Sequence, residues 1–517
     1  MESSVKSPGP KFHRPILSEY FEFLEEYKPG GYHPVDLYDI LDGRFEVIAK
    51  LGYGGISTVW LCYETCAKRW RAVKINAASH SSEDCPDLRI LKFLANQSID
   101  HSELRKNHTY IATETFWIEG PNGRHLCSVL PVLGPTLRMW RNEVATIRDA
   151  NRIKNVCFQM VEAVDYLQRL GLCHGDFRPQ NILMVLREGA LDDISRADMI
   201  ELVKHRPEER VLTVEGKRSK HAPEFVVAGS SIPEWEVLVS DNLAVVDFGE
   251  AFEISSPPKT LGIPRAYAAP EVLFDGVPGC GTDIWSLAIS LMEMRTGGDL
   301  SGDLQTVIWR MEQFAGPVPP RYRRIAERLL KEYGSHDVQS EQGCTADSCD
   351  QSLTTTSAPV TAFLHDLNEE AVENVEGTGL TDPIEMALAV EYNSPEGKIN
   401  PKTGKPTLDW RRLDNDEAAL LADLLRRIFK YDDTQRLSLT EGMEHPWFKT
   451  RLKDEKVSPS NAVRRKSSGE AKNWALFVGV GLPILVCLCL AYSYCLKVLL
   501  KDPHTLYSVA IVHLIAR

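Results

Sequence analysis

The sequence has no Cys-x-x-Cys pair, and its 12 cysteines are scattered without regular spacing. We therefore expect neither a structural zinc site nor a disulfide framework, and a reducing compartment is favoured. The N-terminal stretch MESSVKSPGPKFHRP lacks an apolar core, so no secretory signal peptide is expected. No internal repeat is found along the chain.

Positive charge is in deficit, because 59 Lys and Arg residues face 72 Asp and Glu residues, for a net charge of −13. Binding to a phosphate backbone needs clustered cations, so no direct nucleic-acid partner is expected. With 43% hydrophobic and 25% charged residues, the composition is that of a globular protein rather than a collagen-like, coiled-coil or wholly disordered one. A length of 517 residues allows two or three domains, or one two-lobed enzyme with insertions.

Long apolar runs are absent except for residues 474–496, which contain no charged side chain. This run is long enough to cross a hydrocarbon core of about 30 Å, and it lacks the polar face that a buried core helix would show. It predicts a transmembrane helix. The basic residues at 464–466 and Lys472 precede it and favour a cytosolic N-terminal part, although Lys497 and Lys501 follow it.

The secondary-structure signals begin with three β-rich runs at residues 45–51, 58–63 and 72–75, which predict an antiparallel sheet. Amphipathic helices are predicted at 151–170 and 282–294 from their apolar spacing. A sheet followed by helices indicates an α+β fold.

The first chemical motif is Leu51–Val59, a Gly-x-Gly-x-x-Ser-x-Val run between two predicted strands. Its position excludes a dinucleotide-binding fingerprint, which lies between a strand and a helix. Gly52 and Gly54 would let the hairpin backbone approach a triphosphate closely. A plain glycine hairpin is the alternative when this motif is taken alone.

Further motifs follow in a fixed order. Lys74, on the next strand, would bind the α- and β-phosphates of ATP. In His174-Gly-Asp-Phe-Arg-Pro-Gln-Asn181, Asp176 can accept a hydroxyl proton and Asn181 can coordinate Mg²⁺. Asp247, in Val245-Val-Asp-Phe-Gly249, would be the metal carboxylate, and Ala269-Pro-Glu271 closes the series. This ordered set indicates ATP- and Mg²⁺-dependent phosphoryl transfer.

The chain resembles the eukaryotic protein kinases and, more narrowly, the SR-protein kinase family with its fungal relatives. The narrower resemblance rests on short phrases of the sequence: Lys28-Pro-Gly-Gly-Tyr-His33, Gly43-Arg-Phe45, Lys50-Leu-Gly-Tyr-Gly54, Ser57-Thr-Val-Trp-Leu61, Val132-Leu-Gly134 and His174-Gly-Asp176. It implies a two-lobed protein kinase fold with a small β-rich N-lobe and a large helical C-lobe. The sequence adds one C-terminal transmembrane helix.

The resemblance spans about residues 28–448 and sets the predicted domain boundaries. They are a flexible N-terminal arm 1–27, an N-lobe with hinge 28–134, a C-lobe 135–448 with a spacer insert 185–242 and a disordered insert 334–360, a charged linker 449–473, the transmembrane helix 474–496 and a short tail 497–517.

The resemblance also implies roles for individual residues. Leu51 and Val59 would sandwich adenine, and Leu130 would be the gatekeeper before a hinge at 131–134. The full set implied to bind ATP is Leu51, Gly52, Gly54, Ser57, Val59, Ala72, Lys74, Leu130 and Val132. The implied catalytic residues are Asp176, Arg178, Asn181 and Lys74, and the implied metal ligands are Asn181 and Asp247.

Two structural contacts are implied as well. Asp283 would hold the backbone of the catalytic loop, and Arg436 would form a desolvated ion pair with Glu271. His174 is expected to be a packed structural residue.

Four positions depart from the family pattern. Arg178 stands where a lysine is usual and keeps the positive charge. Asp87 aligns with the helix glutamate that pairs with Lys74, and Glu83 is the only nearby substitute.

The other two departures concern the activation segment. Pro264 replaces the usual threonine and removes a hydroxyl and a donor. Gly175 replaces the arginine that would pair with a phosphorylated activation segment, so the resemblance implies activity without activating phosphorylation.

These observations predict a membrane-anchored serine/threonine protein kinase that acts on protein substrates, with basic Arg/Ser-rich proteins and the regulation of mRNA splicing as the implied context. The catalytic part would face the cytosol from the endoplasmic reticulum or nuclear envelope. If the C-terminal segment is a gene-model artefact, the protein would be cytoplasmic or nuclear. The alternative is a membrane-anchored pseudokinase or scaffold, which Asp87, Pro264 and Arg178 together motivate.

Overall fold

The computed structural model divides the chain into two units, Met1–Asp454 and Glu455–Arg517. It describes residues 11–145, 150–203, 207–230, 235–298, 300, 302–333, 382–388, 391–393, 409–411 and 415–450. All of these residues belong to the first unit.

The N-lobe is a six-stranded antiparallel sheet with the strand order β1-β2-β3-β4-β6-β5. Its strands are β1 Ile40–Leu41, β2 Phe45–Gly54, β3 Ser57–Glu64, β4 Arg69–Asn76, β5 Glu114–Gly120 and β6 Gly123–Leu130. The predicted sheet is confirmed. Gly54 pairs with Ser57, so that Gly55 and Ile56 form a two-residue turn at the tip of the glycine run.

One face of this sheet carries an apolar core that includes Phe45, Trp60 and Val73. Helix α1, Pro86–Asn96, lies between β4 and β5 in sequence, with proline in its first turn and Asp87 close to its positive end. Ile90 and Leu94 of this helix are buried in the main core of the protein.

The C-lobe is mainly helical in the residues that the structure describes. After α1 come α2 His101–Lys106, α3 Leu137–Ala145, α4 Ala150–Arg169, α5 Arg196–Val203, α6 Trp235–Leu238, α7 Gly281–Thr296, α8 Leu304–Ala315, α9 Pro320–Tyr333, α10 Pro383–Leu388, α11 Asn415–Ile428, α12 Leu439–Met443 and α13 Pro446–Lys449. The two predicted helices correspond to α4 and α7. Every residue of α7 is buried, and its polar side chains, such as Asp283 and Glu293, are hydrogen-bonded within the protein.

Short strand pairs place the reactive loops beside each other. The remaining strands are β7 Leu172–Cys173, β8 Ile182–Leu186, β9 Glu208–Arg210, β10 Phe225–Val227, β11 Val239–Val245, β12 Phe252–Glu253, β13 Glu391–Asn393 and β14 Asp409–Arg411. β8 begins directly after the loop at 174–181 and pairs with β11, which ends two residues before Asp247. The two sequence motifs, at 174–181 and 245–249, therefore meet because their flanking strands are hydrogen-bonded.

Parts of the spacer insert 185–242 pack on the N-lobe. Met199 and Val203 of α5 join a buried cluster with Ile48 and Trp70 of the sheet. The Trp70 indole also donates a hydrogen bond to the backbone oxygen of Ile194 (3.1 Å). The apolar side chains of α5 thus attach this charged segment to the N-lobe sheet.

The N-terminal arm also differs from the expectation of a flexible segment. In its described part, Phe12, Phe21, Leu24 and Tyr27 are buried in one cluster, which includes Val226 of the spacer. The arm and the spacer bury each other's apolar side chains. The composition of either segment taken alone does not predict this contact.

The predicted transmembrane helix 474–496 lies outside the described residues, and so do the insert 334–360, the tail 497–517 and all but the first two residues of the linker 449–473. Within the described ranges, no helix is long and apolar enough to span a membrane. The anchor therefore remains a prediction from sequence.

Candidate active site

Lys74 lies on β4 and points into the cleft between the lobes. Its ammonium group is 2.7 Å from a carboxylate oxygen of Asp247 and 3.5 Å from one of Asp87. Burial alone would lower the pKa of Lys74, but the two carboxylates outweigh it and raise the pKa. Lys74 in turn lowers the pKa of Asp247, so both groups are charged at neutral pH.

The pairing of Lys74 with α1 is present despite the short aspartate side chain. Asp87 also accepts a hydrogen bond from the Asn76 amide (3.4 Å), which holds it beside the lysine. Glu83, the other acidic residue near this position in sequence, pairs instead with Arg124 at 2.8 Å. The missing methylene leaves Asp87 a weaker partner for Lys74 than Asp247 is.

Asp176 is held by side chains of its own loop. The Arg178 guanidinium donates from Nε to both carboxylate oxygens, at 3.0 and 3.1 Å. The Asn181 amide donates to the Asp176 carboxylate (2.6 Å) and to its backbone oxygen (2.9 Å). One hydrogen-bonded group is therefore formed by the predicted catalytic residues Asp176, Arg178 and Asn181.

We expect acid to abolish phosphoryl transfer at this site at a higher pH than an ordinary aspartate would give. Burial raises the pKa of Asp176, and Arg178 partly offsets this by favouring the carboxylate. A base works only when deprotonated, so kcat/KM falls as the pH drops through this raised pKa. Removing the cation in Arg178→Met should move the acidic limb of the pH profile to still higher pH. An unmoved limb, matching that of the control Arg169→Met on an exposed helix end, would contradict this electrostatic coupling.

His174 and Asp283 support the loop without facing the cleft. His174 is fully buried, and its Nε2 lies 2.9 Å from the carbonyl oxygen of Val246, to which it donates. Asp283, at the start of α7, accepts hydrogen bonds from the backbone N–H groups of His174 (2.6 Å) and Gly175 (3.0 Å). The contact predicted for Asp283 is thus present, and His174 is a packed structural residue.

Asp247 adopts a left-handed backbone conformation with φ of 65°. Such a conformation is strained for a residue other than glycine, and it occurs mostly where function requires a particular side-chain direction. Its neighbour Val246 donates a backbone hydrogen bond to Asn181 (3.0 Å), which ties the two metal-ligand candidates together.

The donor set suits Mg²⁺. No group of three or more His, Cys, Asp or Glu side chains able to hold a metal is found among the described residues. Mg²⁺ is usually bound by one or two carboxylates together with nucleotide phosphates and water. Asp247 would supply the carboxylate. Asn181 uses its amide nitrogen for Asp176, which leaves its amide oxygen as the metal-directed atom.

The residues implied to bind ATP lie together on the N-lobe sheet and at the start of the hinge. Gly52 is paired with Val59 across the β2–β3 hairpin, and Ala72 with Leu130 across β4 and β6. Ala72 and Val132 are buried, and Leu51, Val59 and Leu130 are half-buried. Ser57 is buried beneath the hairpin turn. Apolar walls of this kind suit a planar aromatic base.

Gly175 is required by the path of the activation segment. Its φ is +78°, and a Cβ at this position would lie 2.3 Å from the backbone oxygen of Glu250. The Glu250 carboxylate in turn accepts a hydrogen bond from the Gly262 N–H (2.7 Å). The segment is therefore held by a glutamate of the chain itself, at the place where the sequence lacks an arginine.

We expect Gly175→Ala to destabilise the protein by roughly 1–3 kcal/mol from the backbone alone and to reduce activity, because the new Cβ must displace Glu250. The matched control is Gly171→Ala, where φ is +81° but a Cβ meets nothing within 4 Å. Thermal unfolding and phosphoryl transfer of the two variants separate backbone strain from the clash. Equal losses of stability and activity in both variants would show that the close approach of Gly175 to the Glu250 carbonyl is unimportant.

With Pro264 in place of the usual threonine, Tyr267 anchors the activation segment to the C-lobe. Tyr267 donates its hydroxyl proton to the Glu293 carboxylate (2.6 Å), and the Gln180 amide oxygen lies 3.4 Å away. Tyr267 also donates its backbone N–H to the Pro264 carbonyl (2.9 Å). Gln180, a residue of the catalytic loop, was not singled out by the sequence.

The ion pair predicted between Arg436 and Glu271 is bidentate, with distances of 2.8 and 2.6 Å. The Arg436 guanidinium is completely buried and also donates to the carbonyl oxygens of Gly281 (2.7 Å) and Lys430 (3.0 Å). It joins the end of the activation segment to the C-lobe core.

Comparison with known proteins agrees with this architecture. The family model described as the protein kinase domain matches residues 45–231 and 236–448, which is more than half of the chain. SRSF protein kinase 3 of Homo sapiens is 34% identical over 196 residues, covering 35% of this chain and 33% of that protein. Protein kinase dsk1 of Schizosaccharomyces pombe is 36% identical over 184 residues, covering 34% of this chain and 32% of that protein.

A third relative aligns over a longer stretch. The serine/threonine-protein kinase SRPK of Physarum polycephalum is 28% identical over 292 residues, covering 53% of this chain and 66% of that protein. The chain thus spans about a third of the length of the first two relatives and less than two thirds of the third.

Proposed function

The chain belongs to the protein kinase family, and from this premise we propose that it is an SR-protein-kinase-like enzyme that transfers the γ-phosphoryl group of ATP to serine or threonine hydroxyls of proteins. The observation that carries the proposal is the single cluster formed by Asp176, Asn181, Asp247 and Lys74. All four side chains are hydrogen-bonded or ion-paired within it, and the backbone bond between residues 246 and 181 joins its two halves.

The side chains of this cluster divide the work of phosphoryl transfer. Asp176, held by Arg178 and Asn181, accepts the proton of the attacking hydroxyl. Lys74 and Arg178 place positive charge where the phosphates lie. Bound Mg²⁺ would supply further charge neutralisation at the phosphates, with Asp247 and Asn181 holding it.

The residue specificity is tested with labelled ATP-Mg²⁺ and paired peptides that differ only in serine, threonine or tyrosine at one site. The proposal expects label on serine or threonine that disappears when Mg²⁺ is chelated. Label on tyrosine alone would overturn it.

We further propose basic, Arg/Ser-rich proteins as the substrate class, in keeping with the resemblance to SR-protein kinases. The net charge of −13 supports this, and so do the carboxylates of Asp84, Glu250 and Glu253, which line the cleft between α1 and the activation segment. Guanidinium binds carboxylates in a planar, bidentate way that ammonium does not. An Arg-Ser repeat peptide should therefore show a higher kcat/KM than a Lys-Ser peptide of equal charge, and equal values would remove the proposal.

A pseudokinase or scaffold is the second candidate. The long Lys74–Asp87 distance of 3.5 Å and the proline at 264 favour it. The retained metal-ligand candidates Asn181 and Asp247 speak against it, because a scaffold has no physical need for them. ATP binding without turnover in the wild-type protein, unchanged in Asp176→Ala, would support the scaffold.

The membrane anchor is proposed separately, from the uncharged segment 474–496 alone. It would place the kinase on the cytosolic face of the endoplasmic reticulum or nuclear envelope. Alkaline carbonate extraction tests it, because an inserted helix stays with the membrane. Release of the full-length chain into the soluble fraction would contradict the anchor.

A further inference from the structure

Residues 20–32 lie before the first residue of the family match, yet they contact the glycine run that is expected to hold the phosphates of ATP. The Tyr32 hydroxyl donates a hydrogen bond to the backbone oxygen of Gly54 (2.6 Å), at the end of β2. Tyr32 is itself buried, and burial raises its pKa to about 12, so the hydroxyl remains a donor at neutral pH.

A second contact fixes the same strand four residues earlier. The ammonium group of Lys50 forms an ion pair with Glu22 at 2.5 Å, and the two side chains are 1% and 0% exposed. Tyr27 donates its hydroxyl proton to the same carboxylate oxygen (2.5 Å). The Lys50 ammonium also lies 4.8 Å from the centre of the Trp60 ring. Removing one partner of a buried ion pair is strongly destabilising, so this contact couples the segment to β2.

The segment is attached to the rest of the sheet, so that it can hold the loop in place. Gly30 donates its N–H to the Asn122 carbonyl (2.7 Å) in the turn between β5 and β6. Ser79 and Ala78 donate to the carbonyls of Gly30 (2.8 Å) and Gly31 (3.0 Å). A Cβ at Gly31 would lie 1.8 Å from the Glu26 carbonyl oxygen, so only glycine fits this turn.

The spacer also contacts this strand. Ser230 donates its backbone N–H to the Lys50 carbonyl (2.7 Å), and a Cβ at Gly229 would lie 3.4 Å from the Leu51 carbonyl oxygen. Two segments therefore contact β2, one that precedes the N-lobe sheet in sequence and one that follows it.

The Tyr32 bond has a specific consequence for the loop. In a trans peptide the carbonyl oxygen and the next N–H point in opposite directions. Fixing the Gly54 oxygen toward Tyr32 therefore turns the N–H of Gly55 to the opposite side. Backbone N–H groups at the tip of such a loop are the groups that bind phosphate oxygens.

We propose that residues 20–32, which we name the N-terminal brace, position the glycine-rich loop for nucleotide, with Tyr32 as the positioning residue that orients the Gly54–Gly55 peptide. The role in nucleotide binding rests on the proposed kinase function, whereas the mechanical role of the brace does not. The brace acts through the loop and touches no substrate atom itself.

The test compares full-length Tyr32→Phe with Tyr431→Phe. The Tyr32 change removes one hydroxyl and keeps the buried ring. Tyr431 is also buried and lies in the C-lobe, and its hydroxyl has no hydrogen-bond partner among the residues that the structure describes, so it controls for the loss of a buried hydroxyl. A net hydrogen bond of ordinary strength predicts an ATP dissociation constant and KM raised about three- to tenfold in Tyr32→Phe. We expect kcat to change less than about twofold, and the control to match the wild type.

Amide hydrogen exchange of residues 51–57, measured without nucleotide, is the second readout. It should accelerate in Tyr32→Phe and in Glu22→Gln, which weakens the Lys50 pair while keeping its shape, but not in Tyr431→Phe. If the wild type binds ATP and Tyr32→Phe shows unchanged affinity and unchanged loop exchange, the brace is overturned. If the wild type does not bind ATP, the kinase proposal fails. The mechanical role of the brace is then tested by hydrogen exchange of residues 51–57 alone, and unchanged exchange in Tyr32→Phe overturns it.

Discussion

Replacing Asp176 by alanine is expected to lower kcat by about 10²- to 10⁴-fold, the range for a lost general base, while ATP binding is retained. The Asp176 side chain is the proton acceptor that Arg178 and Asn181 hold in place. Lys74, which is expected to bind the phosphates, pairs with Asp247 and Asp87 instead. Initial rates with labelled ATP and nucleotide titration on the same preparations measure the two effects separately.

The control is Asp193→Ala, because Asp193 is an exposed acidic residue of the spacer. It removes the same charge without touching the cleft, so wild-type rates are expected. If Asp176→Ala retained most of the wild-type activity, Asp176 would not be the base and any phosphate incorporation would need another origin.

Arg436→Ala should lower the free energy of unfolding by roughly 3–5 kcal/mol, the range for removing one partner of a buried ion pair. The change strips Glu271 of both of its guanidinium hydrogen bonds and leaves the carbonyls of Gly281 and Lys430 without their donor. Because Glu271 ends the activation segment, catalytic activity should fall as well. Equilibrium denaturation with a common slope measures the stability change.

Arg169→Ala provides the matched comparison for this ion pair. Arg169 pairs with Asp165 at 2.8 Å, but its side chain is 65% exposed. Exposed pairs contribute at most about 1 kcal/mol. Losses of similar size in the two variants would mean that burial does not set the strength of the Arg436 pair.

Much of the catalytic loop could be predicted from sequence, because its chemistry is written into short local motifs. Asp176, Arg178 and Asn181 lie within one turn of chain, so their mutual hydrogen bonds follow from local geometry. The partner motif at Asp247 could be assigned because an apolar strand precedes it. The sheet and the helices α4 and α7 followed from apolar periodicity.

The residues that sequence reasoning missed act over long sequence separations. Glu250 holds the activation segment by accepting a hydrogen bond from the Gly262 N–H, and Tyr32 reaches Gly54 through a fold that brings distant segments together. Tyr32 lies in a phrase that carries the resemblance, but nothing in that phrase indicates its contact with Gly54. The buried pair of Lys50 and Glu22 was hidden for the same reason, since charged residues in a polar arm ordinarily indicate solvent exposure.

The arm and the spacer were underestimated because their composition is polar. Their few apolar residues, such as Phe21 in the arm and Val226 in the spacer, bury one another. Mutual burial of this kind is a property of the pair of segments. It becomes visible only when the fold has placed them side by side.

The most direct test of the proposed function is phosphate transfer by the wild-type full-length chain, measured together with ATP-Mg²⁺ binding on the same sample. The account predicts that the protein binds ATP-Mg²⁺ and transfers its γ-phosphoryl group to serine in an Arg-Ser peptide over many turnovers. Saturable ATP binding with no transfer to any peptide or protein hydroxyl would contradict it and favour the scaffold.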